Sequence, residues 1–358
     1  MEQAAQGGGK ARKEILALGE LLVDFVCKET DEIVDLVPGR DNMRIEEAGP
    51  VIKTASGSAG IFACAVTLLG GRGSFIGKVG SDSLSRMVTG TLRAQGVDLS
   101  HLIVADEGQI GLAFLEYLPG GRNYQYYRKN SVGSLLRAED LDEEHIRAAY
   151  AVHFPGMLLE LTPQMRGACQ RLVELANAAG VLVSFDPNIR RELAADEEAR
   201  RRLLWAVAHA DVVAPTLLEG QMITGRKTVG DVLRALHAMG PKMVALTRDK
   251  DGAVLSSGGL VAIAPGIDEP PVDPTGAGDT LAAALCVGLQ EGMPLARLAC
   301  FCNCAGTLVI TKQGAIGMAL PARGGSADGP AGTPGAHPAA GPGGMRNREE
   351  RERTKWLF

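Results

Sequence analysis

The chain has 358 residues, of which 46% are hydrophobic, and a formal net charge of −5. This length is sufficient for a large α/β core, and the mild acidity excludes a basic surface for nucleic acid. The seven cysteines are odd in number and show no disulfide pattern, so we expect a reducing, cytoplasmic location.

Neither a signal peptide nor a membrane segment is predicted. The first apolar run, 15–26, is short and contains Glu20 and Asp24, and a polar stretch divides the apolar region 282–310. We therefore expect no membrane association, and we expect the region 282–310 to form two helices.

Periodicity in the first hundred residues predicts strands and helices in alternation after a mobile start. Residues 1–13 are rich in Gly and form the predicted mobile segment. The run 15–26 predicts a strand, whereas residues 27–55 lack helical periodicity. The next elements are a helix over 61–69, a strand over 74–79 and a helix over 84–95.

A hairpin is predicted in the middle of the chain. Strand-like runs over 112–118 and 124–128 are joined by the turn sequence 119–122, Pro-Gly-Gly-Arg. Together with parts of 27–55, this hairpin is expected to form a small β-sheet lid, built from about 27–55 and 110–132.

After the hairpin, strand and helix patterns alternate. Strands are predicted over 151–154, 181–185, 212–214 and 243–247, and helices over 163–179, 199–209, 229–239 and 281–289. This alternation indicates a parallel sheet with helices on both faces. Gly, Pro and Ala dominate from 322, so residues 322–358 are predicted to be a disordered tail after a domain spanning 14–321.

The segment 273–280, Asp-Pro-Thr-Gly-Ala-Gly-Asp-Thr, combines an anion-binding turn with a carboxylate. Gly276, Ala277 and Gly278 precede a helix, where unpaired backbone N–H groups and the helix dipole favour an anion. Asp279 is suited to accept the proton of a hydroxyl that attacks phosphorus. A structural turn capped by an aspartate would explain the glycines alone.

This segment resembles the D-T-T-G-A-G-D signature of the ribokinase/PfkB family of carbohydrate kinases, with Pro274 in place of a Thr. Four further segments match family patterns in the family's order: 56–60, 75–82, 185–190 and 311–315. The resemblance implies a ribokinase-like three-layer α/β sandwich, with a mainly parallel central sheet and a β-sheet lid. A homodimer joined through the lid is a further expectation.

The resemblance also implies the reaction, which is ATP-dependent phosphorylation of the primary hydroxyl of a small sugar or sugar acid, with Mg²⁺. Asp279 is the expected catalytic base. The backbone N–H groups of Gly276, Ala277 and Gly278 are expected to stabilise the transferring phosphoryl group. A family member that has lost catalysis and acts as a regulatory subunit is the rival hypothesis.

On the sugar side, the family's G-E-x-x-x-D pattern makes Asp24 the expected acceptor for a sugar hydroxyl, although strand alternation also permits a surface position. Gly57 and Ser58 either let the substrate approach the backbone or serve tight helix packing. Ile61 stands where the family commonly has an Asn that contacts the sugar.

Two arginines suggest the substrate class. Tyr126 and Arg128 in the lid, with Arg190 after a strand, resemble 2-keto-3-deoxygluconate kinases within the family. Guanidinium groups match a carboxylate, so this keto-acid is the predicted substrate. Both arginines pairing with local carboxylates is the alternative, and fructokinases, which share the F-D-P-N-x-R run, supply a neutral-sugar alternative.

On the nucleotide side, Thr247 and Asn303 are expected near the nucleotide by family position, together with Gly276 and Gly278. Glu219 matches a glutamate that orders Mg²⁺ through water, or it is a helix surface residue. Asp273 and Thr275 occupy positions that bind a monovalent cation, such as K⁺, in many members.

Overall fold

A computed structural model describes residues 12–27, 51–118, 121–189, 196–312, 314 and 316. These residues all belong to one compact unit of the chain, Met1–Arg323. Most of the predicted mobile segment 1–13, most of the lid segment 27–55 and the whole predicted tail 322–358 lie outside the described residues.

Strands and helices alternate through most of the described chain. The strands are β1 (Ile15–Leu18), β2 (Leu22–Cys27), β3 (Val51–Ser56), β4 (Gly73–Val79), β5 (Leu102–Val104), β6 (Gly111–Leu118), β7 (Gly121–Tyr127), β8 (Ala151–Pro155), β9 (Leu182–Asp186), β10 (Val212–Val213), β11 (Met243–Thr247), β12 (Ala253–Ser257) and β13 (Leu260–Ala264). The helices are α1 (Ser58–Leu68), α2 (Ser83–Ala94), α3 (Glu143–Ala148), α4 (Pro163–Ala179), α5 (Glu197–His209), α6 (Leu217–Thr224), α7 (Val229–Met239), α8 (Ala277–Gln290) and α9 (Leu295–Val309).

The main sheet has nine strands within the described residues, in the order β13-β12-β11-β10-β9-β8-β1-β4-β5. In this spatial order, the seven strands that run across the sheet from β11 to β5 are all parallel to their neighbours. β12 and β13 form an antiparallel extension at the other edge. None of the described helices combines the length and apolarity needed to cross a membrane.

Helices cover both faces of the main sheet. In β1, Ile15 and Ala17 belong to one apolar cluster, whereas Leu16 and Leu18 belong to the other. The first cluster contains side chains from α1, α2, α8 and α9, and the second contains side chains from α3 to α7. Because both faces are buried, the central strands are mostly apolar. This confirms the predicted three-layer sandwich with a mainly parallel sheet.

The predicted single strand over 15–26 is wrong, because this segment forms two strands in different sheets. β1 ends at Leu18, and the chain crosses to the small sheet through residues 19–21 before β2 begins. At the crossing, a Cβ on Gly19 would lie 2.5 Å from the Cβ of Ala59, so glycine permits the close approach of α1. Asp24 therefore lies within a small-sheet strand, not at the end of a main-sheet strand.

The small sheet has the order β3-β2-β6-β7 and contains the predicted hairpin, formed by β6 and β7. β2 pairs in parallel with β6 and antiparallel with β3. Asp24 and Tyr126 both lie opposite Ala113 and share one face of the sheet. Phe25 lies opposite Phe114 on the other face. We call this sheet the lid.

His153 is a fully buried titratable group at the centre of the main sheet. Its ring stacks on Phe62 with 3.9 Å between centroids, and its Nδ1 lies 3.0 Å from Ser184 Oγ. Burial disfavours the charged imidazolium and lowers the pKa of His153 to about 3.

We expect His153 to make the free energy of unfolding depend on pH. In the unfolded chain, histidine titrates near its usual pKa of about 6.5, so between about pH 6.5 and 3 the unfolded state binds the extra proton. Stability should therefore fall with falling pH, and His153 should account for about 2 kcal/mol between pH 7 and 5.

Urea unfolding at pH 5, 6 and 7 measures this effect. His153→Gln should show a flatter pH dependence than the wild-type chain, whereas His209→Gln, which changes an exposed histidine on α5, should leave the slope unchanged. Equal slopes for all three proteins would contradict the assignment.

Candidate active site

A cavity of about 280 Å³ lies between the carboxyl ends of the parallel strands and the lid. Residues at or just after five strand ends line it: Glu20, Pro155, Asp186, Ala214 and Thr247. The lid contributes Leu22, Asp24, Tyr124 and Tyr126. Ligands of parallel α/β sheets bind at this edge, so the cavity is the candidate active site.

The amino terminus of α8 opens into the cavity. Gly276 has a φ of 85°, in the left-handed region, and precedes the first helical residue, Ala277. No side chain caps this terminus, and residues 274–279 line the cavity. The backbone N–H groups of Ala277 and Gly278 therefore remain suited to an anion. The helix begins at Ala277 rather than at the predicted residue 281.

Asp279 lies in the first turn of α8 and lines the cavity, although its side chain is only 7% exposed. Its Oδ1 accepts a hydrogen bond from the hydroxyl of Ser58. The side-chain amide of Asn188 lies 3.4 Å from the same hydroxyl. The structure thus brings Ser58 and Asp279 together from two helices that are far apart in sequence.

Gly57 forms a second glycine turn beside the first. It precedes α1 with a φ of 113°, and a Cβ at this position would lie 2.5 Å from the backbone oxygen of Glu20. Any side chain here would be both strained and in collision with backbone. Gly57, Ser58 and Ile61 all line the cavity. The glycine therefore serves close backbone packing and borders the site as well.

Aromatic and acidic side chains of the lid face the cavity. The rings of Tyr124 and Tyr126 stack with 5.7 Å between centroids. Asp24 is only 5% exposed, and it lines the same cavity. The surface alternative for Asp24 is therefore wrong.

Arg128 is bound to a local carboxylate, which was the alternative that the sequence left open. Its Nη1 lies 2.9 Å from Glu20 Oε1, and the two side chains are 7% and 4% exposed. Burial raises the pKa of the Glu20 carboxyl, and the adjacent Arg128 guanidinium opposes that effect. Arg128 also lies over the ring of Tyr126, 4.0 Å from its centroid. Arg190 lies outside the described residues.

Glu219 lines the cavity and belongs to the first turn of α6. Its Oε2 accepts the backbone N–H of Thr216 at 2.8 Å, and Thr216 Oγ1 accepts the N–H of Glu219 in return. Its Oε1 accepts the N–H of Ile189 at 2.6 Å. This reciprocal capping box fixes the carboxylate at the cavity wall.

Of the other residues predicted to bind the nucleotide or a cation, some line the cavity and others do not. Thr247 ends β11 and lines the cavity. The Asn303 side chain donates to the Pro265 carbonyl at 2.9 Å, and Asn303 does not line the cavity. Asp273 is buried, and its carboxylate accepts from the Thr275 N–H at 2.9 Å and the Gly314 N–H at 3.1 Å.

Sequence reasoning missed several cavity residues. Four of them lie within segments whose neighbouring residues were predicted to be site residues: Glu20, Tyr124, Asp186 and Asn188. The F-D-P-N run was a usable signal for Asp186 and Asn188, because polar residues directly after a parallel strand face the binding edge. Among the described residues, no cluster of three or more His, Cys, Asp or Glu side chains has metal-binding geometry.

The sequence from residue 12 to residue 323 matches the model of the pfkB family of carbohydrate kinases. The chain belongs to this family. Membership confirms the predicted enzyme class, so the chain is an ATP-dependent carbohydrate kinase.

Relatives and solved structures agree with the family assignment. Fructokinase-1 of Zea mays is 32% identical over 315 residues, which span 85% of this chain and 94% of that protein. A solved structure from E. coli described as ribokinase II, in complex with ATP and Mg²⁺, is 27% identical, has a TM-score of 0.75, and spans 85% of this chain and 94% of that one. The 2-dehydro-3-deoxygluconokinase of Thermotoga maritima, at 22% identity and a TM-score of 0.75, covers 85% of this chain and 95% of its own and shares the fold.

For this kinase, we expect the Glu20–Arg128 pair to be strongly coupled. Arg128→Met should destabilise the chain by about 3 kcal/mol, because it leaves the buried Glu20 carboxylate without its charge partner. The double variant Glu20→Gln/Arg128→Met should lose much less than the sum of the two single variants.

Chemical denaturation of the four proteins measures the coupling. The exposed pair Lys242–Asp211, which has a 2.7 Å contact, provides the matched control. Lys242→Met should change the free energy of unfolding by less than about 1 kcal/mol. Additive losses for the Glu20 and Arg128 changes would show that the two groups are not coupled.

Proposed function

We propose that this kinase phosphorylates the primary hydroxyl of a neutral sugar, with fructose as the preferred substrate. The observation that carries the choice is the pairing of Arg128 with Glu20. The predicted carboxylate clamp needed both Arg128 and Arg190, and the Arg128 charge is compensated within the protein. Similarity to fructokinase-1 of Zea mays supports the same choice.

The charge of the cavity also favours a neutral substrate. Five carboxylate residues line it: Glu20, Asp24, Asp186, Glu219 and Asp279. Sugar hydroxyls donate hydrogen bonds to such groups, whereas a substrate carboxylate would be repelled by them. Tyr124 and Tyr126 border the same space and supply apolar ring atoms that can pack against the C–H groups of a sugar. 2-Keto-3-deoxygluconate therefore fits the described residues less well than fructose.

We propose that the start of α8 receives the phosphate groups of a nucleoside triphosphate. Uncapped N–H groups at the start of α8 suit the transferring phosphoryl group, and Thr247 borders the same space. Asn303 would act indirectly, by holding the Pro265 segment. ATP would supply the phosphoryl group, and Glu219 would help to hold Mg²⁺ through water beside the phosphates.

The two cation predictions have different support. Both oxygens of Glu219 already accept backbone N–H groups, so we propose that Glu219 contacts Mg²⁺ through water rather than directly. The carboxylate oxygens of Asp273 already accept the backbone N–H groups of Thr275 and Gly314. A K⁺ site at Asp273 and Thr275 stays a prediction.

In the proposed reaction, Asp279 accepts the proton of the sugar's primary hydroxyl. The hydroxyl oxygen forms a bond to the γ-phosphorus, the bond from that phosphorus to the bridging oxygen breaks, and ADP leaves. The N–H groups of Ala277 and Gly278 stabilise negative charge on the phosphoryl oxygens during transfer. Asp24 orients the sugar by accepting hydrogen bonds from other hydroxyls.

ADP formation over a substrate panel tests the proposal. The wild-type chain with ATP and Mg²⁺ should give a higher kcat/KM for fructose than for ribose or 2-keto-3-deoxygluconate. Asp279→Asn should lose about 10²- to 10⁴-fold in kcat for the preferred sugar, because the base is removed while nucleotide contacts remain.

The outcomes separate the alternatives. A clear preference for the keto-acid would overturn the neutral-sugar assignment and restore the arginine clamp. Absence of turnover with every sugar would favour the regulatory-subunit hypothesis. Asp279→Asn turnover within a few-fold of the wild-type value would remove Asp279 from the role of base.

We also propose that two copies associate through the lid face that points away from the cavity. On that face Phe25 stacks on Phe114 with 5.0 Å between centroids, and Tyr127 meets Phe114 edge-on at 5.4 Å. Tyr127 is 63% exposed. Aromatic side chains of this kind are enriched at protein interfaces.

Sedimentation equilibrium measures this association. The wild-type chain should sediment as a dimer, and Tyr127→Glu should shift it toward a monomer, because burying an unpaired carboxylate is unfavourable. Leu260→Glu, at the exposed edge strand β13, is the matched control and should not change the mass. A monomeric wild-type chain would contradict the proposal.

A further inference from the structure

Ser58 occupies an unusual position for a helix-terminal serine. It is the first residue of α1, and no side chain caps that helix. Its hydroxyl donates to Asp279 Oδ1 in the first turn of α8, across 221 positions of sequence. The serine thus joins the amino termini of two helices at the point where the catalytic base stands.

Asn188 constrains the direction of the Ser58 hydroxyl. Its side-chain N–H groups can only donate, and Nδ2 lies 3.4 Å from Ser58 Oγ. A hydroxyl has a single hydrogen, so accepting from Asn188 leaves that hydrogen for Asp279. The three groups form a directed series from Asn188 through Ser58 to Asp279.

The turn that carries Asn188 is itself fixed. Asn188 has a φ of 38°, in the left-handed region that asparagine tolerates better than most residues. Its backbone N–H donates to Asp186 Oδ1 at 3.0 Å, and the next N–H, of Ile189, donates to Glu219. Two carboxylates therefore hold this turn on both sides of the asparagine side chain.

We propose that Ser58 is a positioning residue for the base Asp279, and that Asn188 sets the direction of its hydrogen bond. This inference rests on the proposed function and assigns to Ser58 a role other than the predicted contact with the substrate. A donor held on one carboxylate oxygen fixes the plane of the carboxylate and so fixes the direction in which it accepts a proton.

The hydrogen bond has a second chemical effect. A donor to a carboxylate favours its ionised form, which is the form that accepts the proton of the sugar hydroxyl. Without the Ser58 hydroxyl, Asp279 would be protonated at a higher pH and would be less well oriented. A small displacement of a reacting group costs a large factor in rate, whereas binding of the sugar's other hydroxyls is unaffected.

Steady-state kinetics with the preferred sugar tests the inference. Ser58→Ala should lower kcat by roughly 10- to 100-fold while KM for the sugar stays within a few-fold. The acidic limb of the kcat/KM profile should move to higher pH by about half a unit or more. Ser58→Thr, which restores the hydroxyl, should recover most of the rate and the original pH profile.

Two further variants provide controls. Ser83→Ala changes the exposed first residue of α2 and should have no effect. Asn188→Gly removes the amide but tolerates the left-handed backbone, and it should move kcat and the acidic limb in the same direction as Ser58→Ala. Combined with Ser58→Ala, it should add little further loss, because both changes interrupt one series.

Each contrary outcome has a separate meaning. A raised KM with unchanged kcat would show that Ser58 contacts the substrate, as the sequence predicted, and would overturn the inference. Wild-type kinetics in Ser58→Ala would also overturn it while leaving the proposed function intact. A wild-type chain that turns over no sugar would instead remove the proposed function, and the inference with it.

Discussion

The close packing of α1 against α8 is the constraint on which the site depends. Both helices lie on the same face of the main sheet and contact each other, and both are rich in small buried residues, such as Ala59 and Ala63 in α1 and the run 282–284 in α8. Small side chains let two helices approach closely. Their amino termini therefore meet at the carboxyl edge of the sheet, where Gly57 and Gly276 turn the chain and Ser58 reaches Asp279. Bulky residues at this contact would separate the start of α8 from Ser58, the proposed positioning residue.

Much of the framework could be predicted from sequence. Apolar runs without alternation indicated strands buried on both faces, and β1 has that burial, with successive residues in opposite clusters. The small residues before Asp279 predicted a helix start that binds an anion. The prediction of one strand over 15–26 was wrong, because an apolar run does not show that the chain leaves one sheet and enters another at Gly19. The close contact of Gly19 with Ala59 that requires glycine there is visible only in three dimensions.

Pairwise electrostatics was the least predictable part of the site. The geometry of a guanidinium indicated a carboxylate partner for Arg128, but it did not indicate whether that partner belongs to the substrate or to the protein. Glu20 is 108 positions away, and nothing in the local sequence indicated that it pairs with Arg128. Buried charges are normally compensated, and the nearest compensating group is fixed by the fold rather than by local sequence. Asn188 was missed for a related reason, since its role depends on a hydroxyl from another helix.

The crossing at residues 19–21 bears on how often ATP would be hydrolysed by water instead of phosphorylating a sugar. Asp279, the proposed base, lies in α8, which packs on the main sheet, whereas Asp24, Tyr124 and Tyr126 belong to the lid. The three-residue crossing is one of the links between the two sheets. In the proposed binding mode, a sugar contacts both the lid and the start of α8, whereas a water molecule beside Asp279 would contact the start of α8 alone. We therefore expect the crossing to contribute to the preference for a sugar over water as the acceptor of the phosphoryl group, although the proposed base lies elsewhere.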